Sequence, residues 1–169
     1  LRSFLGEEGV IQRIGGDNRF QTAELIAEET VGRLEWAWSH TAFVATGDNF
    51  PDALAAAPIA ARRGWPIFLA KPEGAVPIDS MQALGVTHVY ILGGSAVVTS
   101  DQEQSLVDTF GEENVVRLEG ATRYDTAVVV AQYGVDHVGL FWDGVTLATG
   151  ENFPDALTGG IIPATNGSV

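Results

Sequence analysis

The sequence predicts an α/β fold: a parallel sheet with helices on both faces, built of repeated units. Three observations carry that prediction. Short apolar runs alternate with segments of helical periodicity, the pattern of strands joined by helical crossovers. Those runs are almost continuously apolar, as strands covered on both faces are. And the chain repeats itself: ATGDNFPDAL (Ala45–Leu54) returns as ATGENFPDAL (Ala148–Leu157), with one change, Asp48 to Glu151.

The elements follow in order. A strand is expected at Val10–Ile14 and a helix from Arg19 to Leu34, with Ala23, Ile26, Ala27, Thr30 and Leu34 on one face. Asn18 and Gln21 have capping-box spacing for that helix, as do Thr122 and Asp125 in the second copy. The next strand is Thr41–Thr46, and its helix opens at Pro51, a residue favoured at the first helical position. Pro58 removes a backbone donor and is expected to bend or end that helix. WPIFLA (Trp65–Ala70) reads as a third buried strand, Ile78–Leu84 as a short helix and HVYILGG (His88–Gly94) as a strand. Ser100 and Glu103 are the expected capping box of a helix running through Phe110.

The second period begins near Val115: RLEGATRYDTA (Arg117–Ala127) answers RIGGDNRFQTA (Arg13–Ala23) at an offset of 104. It stops at Val169, before any counterpart of PIFLA or VYILGG. The expected organisation is a tail of a preceding unit at 1–9, a complete unit at 10–112 and the first half of a second at 113–169, cut from a longer array.

Composition narrows the function. The 169 residues carry 22 acids against 9 bases, a formal charge of −13. Without a basic patch to release counterions, nucleic acid and anionic membrane are not expected partners. No run is long enough to span a membrane, and the opening LRSFLGEEG lacks the apolar core of a secretion signal. The absence of Cys excludes disulfides and thiolate chemistry. Nor is there a Walker loop, a G-x-G-x-x-G after the first strand, or G-x-S-x-G, and His40, His88 and His137 stand far apart. No cofactor, metal site or catalytic residue is expected.

Arranged in this order, RIGGDNRFQTA, VATGDNFPDALAAAPIAARRGWPIFLA and VYILGG resemble the type-2 cell-wall-binding repeat of Gram-positive surface proteins, and the second copy resembles it again. The resemblance implies a non-catalytic, extracellular module that holds a secreted surface protein on the cell wall through an anionic glycopolymer. It also implies packing against neighbouring repeat modules or other copies of the chain. Two alternatives stay open: an enzyme-like α/β domain binding a nucleotide or sugar phosphate, and a pure assembly spacer.

Ligands of parallel sheets sit beyond the carboxyl ends of the strands. There the loops Gly15–Arg19, Gly47–Asp52, Lys71–Gly74 and Gly93–Ser95 are expected to gather. Arg19 and its counterpart Arg123 are the candidate anion contacts, since a guanidinium grips phosphate with two bonds. Asn49 and Asp52, repeated as Asn152 and Asp155, are candidates to bind sugar hydroxyls. The alternative is structural: Asn49 as a cap, and Arg19 paired with Asp52 across two loops. In the Ala-rich helix, Ala53, Ala56, Ala57 and Ala60 are candidate interface residues, or simply pack on their own sheet. Trp36, Trp38 and Trp142 are expected to pack in the core or at its edge.

Overall fold

A computed structural model describes residues 11–72 and 74–169. The tail expected at 1–9 lies outside the described residues. Four strands, β1 (Thr41–Thr46), β2 (Ile67–Ala70), β3 (His88–Leu92) and β4 (Val115–Leu118), form one parallel sheet in the order β2-β1-β3-β4. The helices are α1 (Arg19–Leu34), α2 (Pro51–Ala55), α3 (Ala57–Arg63), α4 (Ile78–Ala83), α5 (Ser100–Phe110), α6 (Arg123–Tyr133), α7 (Pro154–Gly159) and α8 (Ile161–Asn166).

The period-2 geometry of β1 divides the core in two. Ala42 and Val44 point to one face and join Ala27 of α1, Met81 of α4 and Leu106 of α5. Phe43 and Ala45 point to the other and join Ala56, Ile59 of α3, Val130 of α6, Val138, Leu140 and Val169. Helices therefore cover both faces, as expected. The second face is closed in large part by residues of the second sequence copy.

Local chemistry sets the element ends. Asn18 Oδ1 accepts from Gln21 N at 3.0 Å, but the Gln21 side chain accepts from Asp17 N rather than returning to Asn18. Thr122 and Asp125 form the full reciprocal box. The box expected at Ser100 and Glu103 sits one residue earlier, with Thr99 as cap and Gln102 closing it. Pro58 ends the helix as expected: α2 stops and α3 restarts at Ala57, placing the proline in a first turn, where no N–H is missed. On α1 the buried stripe runs through Ala27, Val31 and Leu34, while Ile26 is exposed.

Two expectations fail. The described residues 11–14 of the strand expected at Val10–Ile14 have no regular structure. Their counterpart Val115–Leu118 is β4, and it pairs with β3 of the preceding copy (Val89↔Val115 to Leu92↔Leu118). Among the tryptophans, Trp38 is buried and donates to Leu84 O at 3.0 Å, but Trp36 is 93% exposed at a turn and Trp142 is exposed. The turn holding Trp36, Glu35–Ala37, opens at Glu35, whose φ of 45° is unfavourable for a residue with a Cβ.

Corresponding segments of the two copies also meet different fates. Thr41–Thr46 is central in the sheet and wholly buried, whereas 145–149 in the second copy is irregular and exposed, with Leu147 90% accessible. The difference is one of partners. β1 has β2 and β3 on its two sides, while 145–149 is tied only by single bonds such as Thr146 N to Val169 O at 2.9 Å.

Candidate functional site

The carboxyl ends of β1 to β4 bring the expected loops to one edge of the sheet. At the end of β1, Gly47 is buried, donates from its N–H to Ala70 O at 2.9 Å and accepts from Arg19 Nη1 at 2.6 Å. The Phe20 ring lies against its Cα, so a Cβ on Gly47 would stand 2.2 Å from Cε1. Asp48 N then donates to Thr46 Oγ1 at 3.2 Å. The second copy rebuilds this group: Arg123 Nη1 donates to Gly150 O at 2.7 Å, Tyr124 packs on Gly150, and Glu151 N donates to Thr149 Oγ1 at 3.2 Å. An arginine and an aromatic from the start of one helix thus clamp the turn before the next. That is a physical reason for the two sequence blocks to recur together.

Arg19 and Asp52 form no ion pair, contrary to the expected structural alternative; Nη1 of the guanidinium donates to the Gly47 carbonyl instead. Asp52 is half-buried in the first turn of α2 and presses on Gly93. Burial raises its pKa above the ordinary 3.8, and the charge of Arg123, from the second copy, partly offsets the rise. Asn49 is exposed and its Oδ1 accepts from Phe50 N at 3.0 Å, a turn contact rather than a helix cap. Asn152 and Asp155 are exposed.

The remaining loops are held from below. Gln102 Nε2 donates to Lys71 O and Gly74 O, each at 2.7 Å, fixing the loop after β2 while Lys71 Nζ lies 6.0 Å from the Phe20 ring centroid. Arg117 fixes the loop after β3. Its guanidinium donates to Gly93 O at 2.7 Å, Val98 O at 3.0 Å and both oxygens of Glu103 at 3.2 and 3.0 Å. Sequence reasoning did not single out Arg117, although its recurrence as Arg13 was a usable signal. The edge so built carries exposed Arg19, Lys71 and Arg123 beside Asp48, Asn49 and Glu119: a polar surface able to hold an anion or sugar hydroxyls.

Among the candidate interface residues, Ala56 is fully buried in the second core face, with Ala53 and Ala60 packed against it. Ala57 meets the second copy: a Cβ on Gly160 would lie 2.9 Å from Ala57 Cβ. Beside this contact an apolar groove of about 370 Å³ runs between the copies, lined by Leu54, Pro58, Val128, Trp142, Leu147 and Pro163 among others.

The state of Asp52 leads to a pH prediction. A carboxyl whose folded pKa is raised binds more protons folded than unfolded, so its contribution to stability falls as pH rises from 3.8 through the raised value. Replacing it by Asn removes that fall. The Tm of Asp52→Asn, followed from pH 4 to 7, is expected to match or exceed that of the parent at neutral pH and to lose this advantage on acidification.

Residues 13–103 and 117–169 match the family Cell wall binding domain 2 (CWB2). The chain is 32% identical over 161 residues to the amidase enhancer of Bacillus subtilis (strain 168), covering 95% of this chain and 20% of that protein. It is 29% identical over 127 residues to the N-acetylmuramoyl-L-alanine amidase LytC of the same organism, covering 72% and 24%. The chain therefore spans about a fifth to a quarter of the length of these relatives. Among solved structures, Cwp8 from Clostridium difficile superposes with a TM-score of 0.72 at 28% identity, over 94% of this chain and 26% of that one. Cwp6 from the same organism shares the fold, with a TM-score of 0.71 at 21% identity over 96% and 26%.

Proposed function

The chain belongs to the Cell wall binding domain 2 family and is an extracellular cell-wall-binding module; from that premise we propose that it holds a larger surface protein on the wall, without covalent attachment and without a catalytic step of its own, by gripping an anionic glycopolymer. The observation that carries this reading is the clamp built twice at the carboxyl edge. In each copy one guanidinium nitrogen is spent on a glycine carbonyl, which fixes the side chain while it stays exposed at the edge. A fixed guanidinium loses little further freedom when it takes up a phosphate or carboxylate.

With a net charge of −13, attraction to such a polymer has to be local. Arg19, Lys71 and Arg123 supply it, and Asn49, Asp52, Asn152 and Asp155 shape the edge for sugar hydroxyls. The units at 10–112 and 113–169, preceded by a tail at 1–9, are proposed to be successive members of an array. Ala53, Ala56, Ala57 and Ala60 form the small-residue face on which the next unit packs, and the contact of Ala57 with Gly160 supports that role.

The test is co-sedimentation of the chain with purified Gram-positive cell walls, before and after their phosphate-linked polymers are stripped. Retention is expected on intact walls and absent on stripped ones. Arg19→Ala is expected to reduce retention at least several-fold while lowering stability by only about 1 kcal/mol, the worth of one hydrogen bond from an exposed side chain. Equal retention on both wall preparations overturns the polymer; retention unaffected by Arg19→Ala overturns the contact. The apolar groove between the copies favours an assembly role as a second reading, identified by self-association of the chain without wall retention.

A further inference from the structure

The two copies of one strand sit in different surroundings. β4 completes the sheet of the copy before it, and its Arg117 enters a cradle made by Gly93 O, Val98 O and Glu103. By the repeat, Ile11, Gln12, Arg13 and Ile14 correspond to Val115, Val116, Arg117 and Leu118. Yet residues 11–14 carry no regular structure, and Ile11 and Arg13 are exposed.

The turn after residue 14 already has the shape of the turn after β4. Gly16 N donates to Thr22 Oγ1 at 3.0 Å, as Gly120 N donates to Thr126 Oγ1 at 3.1 Å. Asn18 caps α1 through Gln21 N as Thr122 caps α6 through Asp125 N. The turn and helix start are thus preset in both copies, and only the strand's partner differs. Among the described residues the β3 edge that Val115–Leu118 uses is closed to residues 11–14, since β3 is paired on one side with β1 and on the other with β4.

We infer that residues 11–14 are a donor strand that adds in parallel to the β3 edge of another unit of this same repeat placed before it, with Arg13 in a cradle equivalent to Gly93, Val98 and Glu103. Units of this kind then interlock: each completes its sheet with a strand from the next. The main-chain ladder supplies the attraction and the arginine sets the register, because a slip by one residue turns the guanidinium to the opposite face of the sheet. This deepens the proposal that neighbouring units are partners; it does not depend on polymer binding.

Two experiments test it by amide hydrogen exchange and melting. The first keeps the chain as it is and writes the donor sequence into β4, as Val115→Ile, Val116→Gln and Leu118→Ile. If residues 11–14 are a β4-type strand, this variant keeps its amides at 115–118 protected and melts within a few degrees of the parent. Lost protection there overturns the inference. The second joins an added copy of residues 11–114 directly before Ile11, so that Ile11 falls where Val115 follows Asn114. In the downstream copy, amides 11–14 are expected to slow by about 100-fold or more relative to the single chain. Downstream Arg13→Ala is expected to undo that protection, while the same change in the single chain alters neither exchange nor melting. Unprotected amides at 11–14, or an added copy that fails to protect its own β1 to β3, overturns the inference. Wall retention enters neither readout, so the polymer reading stands or falls separately.

Discussion

Arg117→Ala is expected to lower stability by about 2–3 kcal/mol, and the melting temperature by roughly 5–10 °C. Its side chain is only 10% exposed and makes four contacts at once, to Gly93 O, Val98 O and both oxygens of Glu103. Truncation leaves two carbonyls and a carboxylate facing a void. Glu103 is about a third exposed and can recover water, which holds the cost below that of a fully buried pair. Arg117→Lys keeps the charge but cannot reach carbonyls and carboxylate together from one ammonium, so it should recover less than half of the loss. Thermal melts of the parent, the Ala variant and the Lys variant check this. Full recovery by Lys would show that charge alone matters there.

The second large effect falls on Gly93, between β3 and its following loop. Its φ is +90°, and a Cβ there would lie 2.4 Å from Asp52 Oδ2 and 2.8 Å from Val97 Cγ2. Gly93→Ala adds a strained backbone to two overlaps, so a loss of about 3 kcal/mol is expected. Gly139 gives the reference: its φ is +77° with open space around it, so Gly139→Ala isolates the backbone part at about 1 kcal/mol. In Gly93→Ala combined with Asp52→Ala, the overlap with the carboxylate is relieved and the backbone part stays. A double-mutant cycle on melting should therefore give a favourable coupling between the two positions. Additive losses would mean that the carboxylate swings aside at no cost.

Much of the architecture was legible because it follows from short-range rules. The spans Thr41–Thr46 and Arg19–Leu34 needed only an apolar run, a helical stripe and a cap. The proline break after α2 needed only a missing donor. The capping box moved from Ser100 to Thr99 because Ser, Thr, Gln and Glu stand side by side at 99–103, and only packing selects which of them cap. At the site, the recurrence of Arg19 and Arg123 was visible, but their acceptors were not. A backbone carbonyl carries no letter, so Asp52 stood out as the partner while the glycine turn held the position.

By itself the sequence determined a parallel α/β repeat, the places where its helices start and stop, and its family, since each rests on the order of residues within one period. Only the tertiary structure decided which copy owns which strand. Val115–Leu118 lies in the sheet of the copy before it, and 145–149 stays out of any sheet although it is the counterpart of β1 in the repeat. A strand is defined by the hydrogen bonds its neighbours offer, and those neighbours are set by the fold rather than by the segment's own residues.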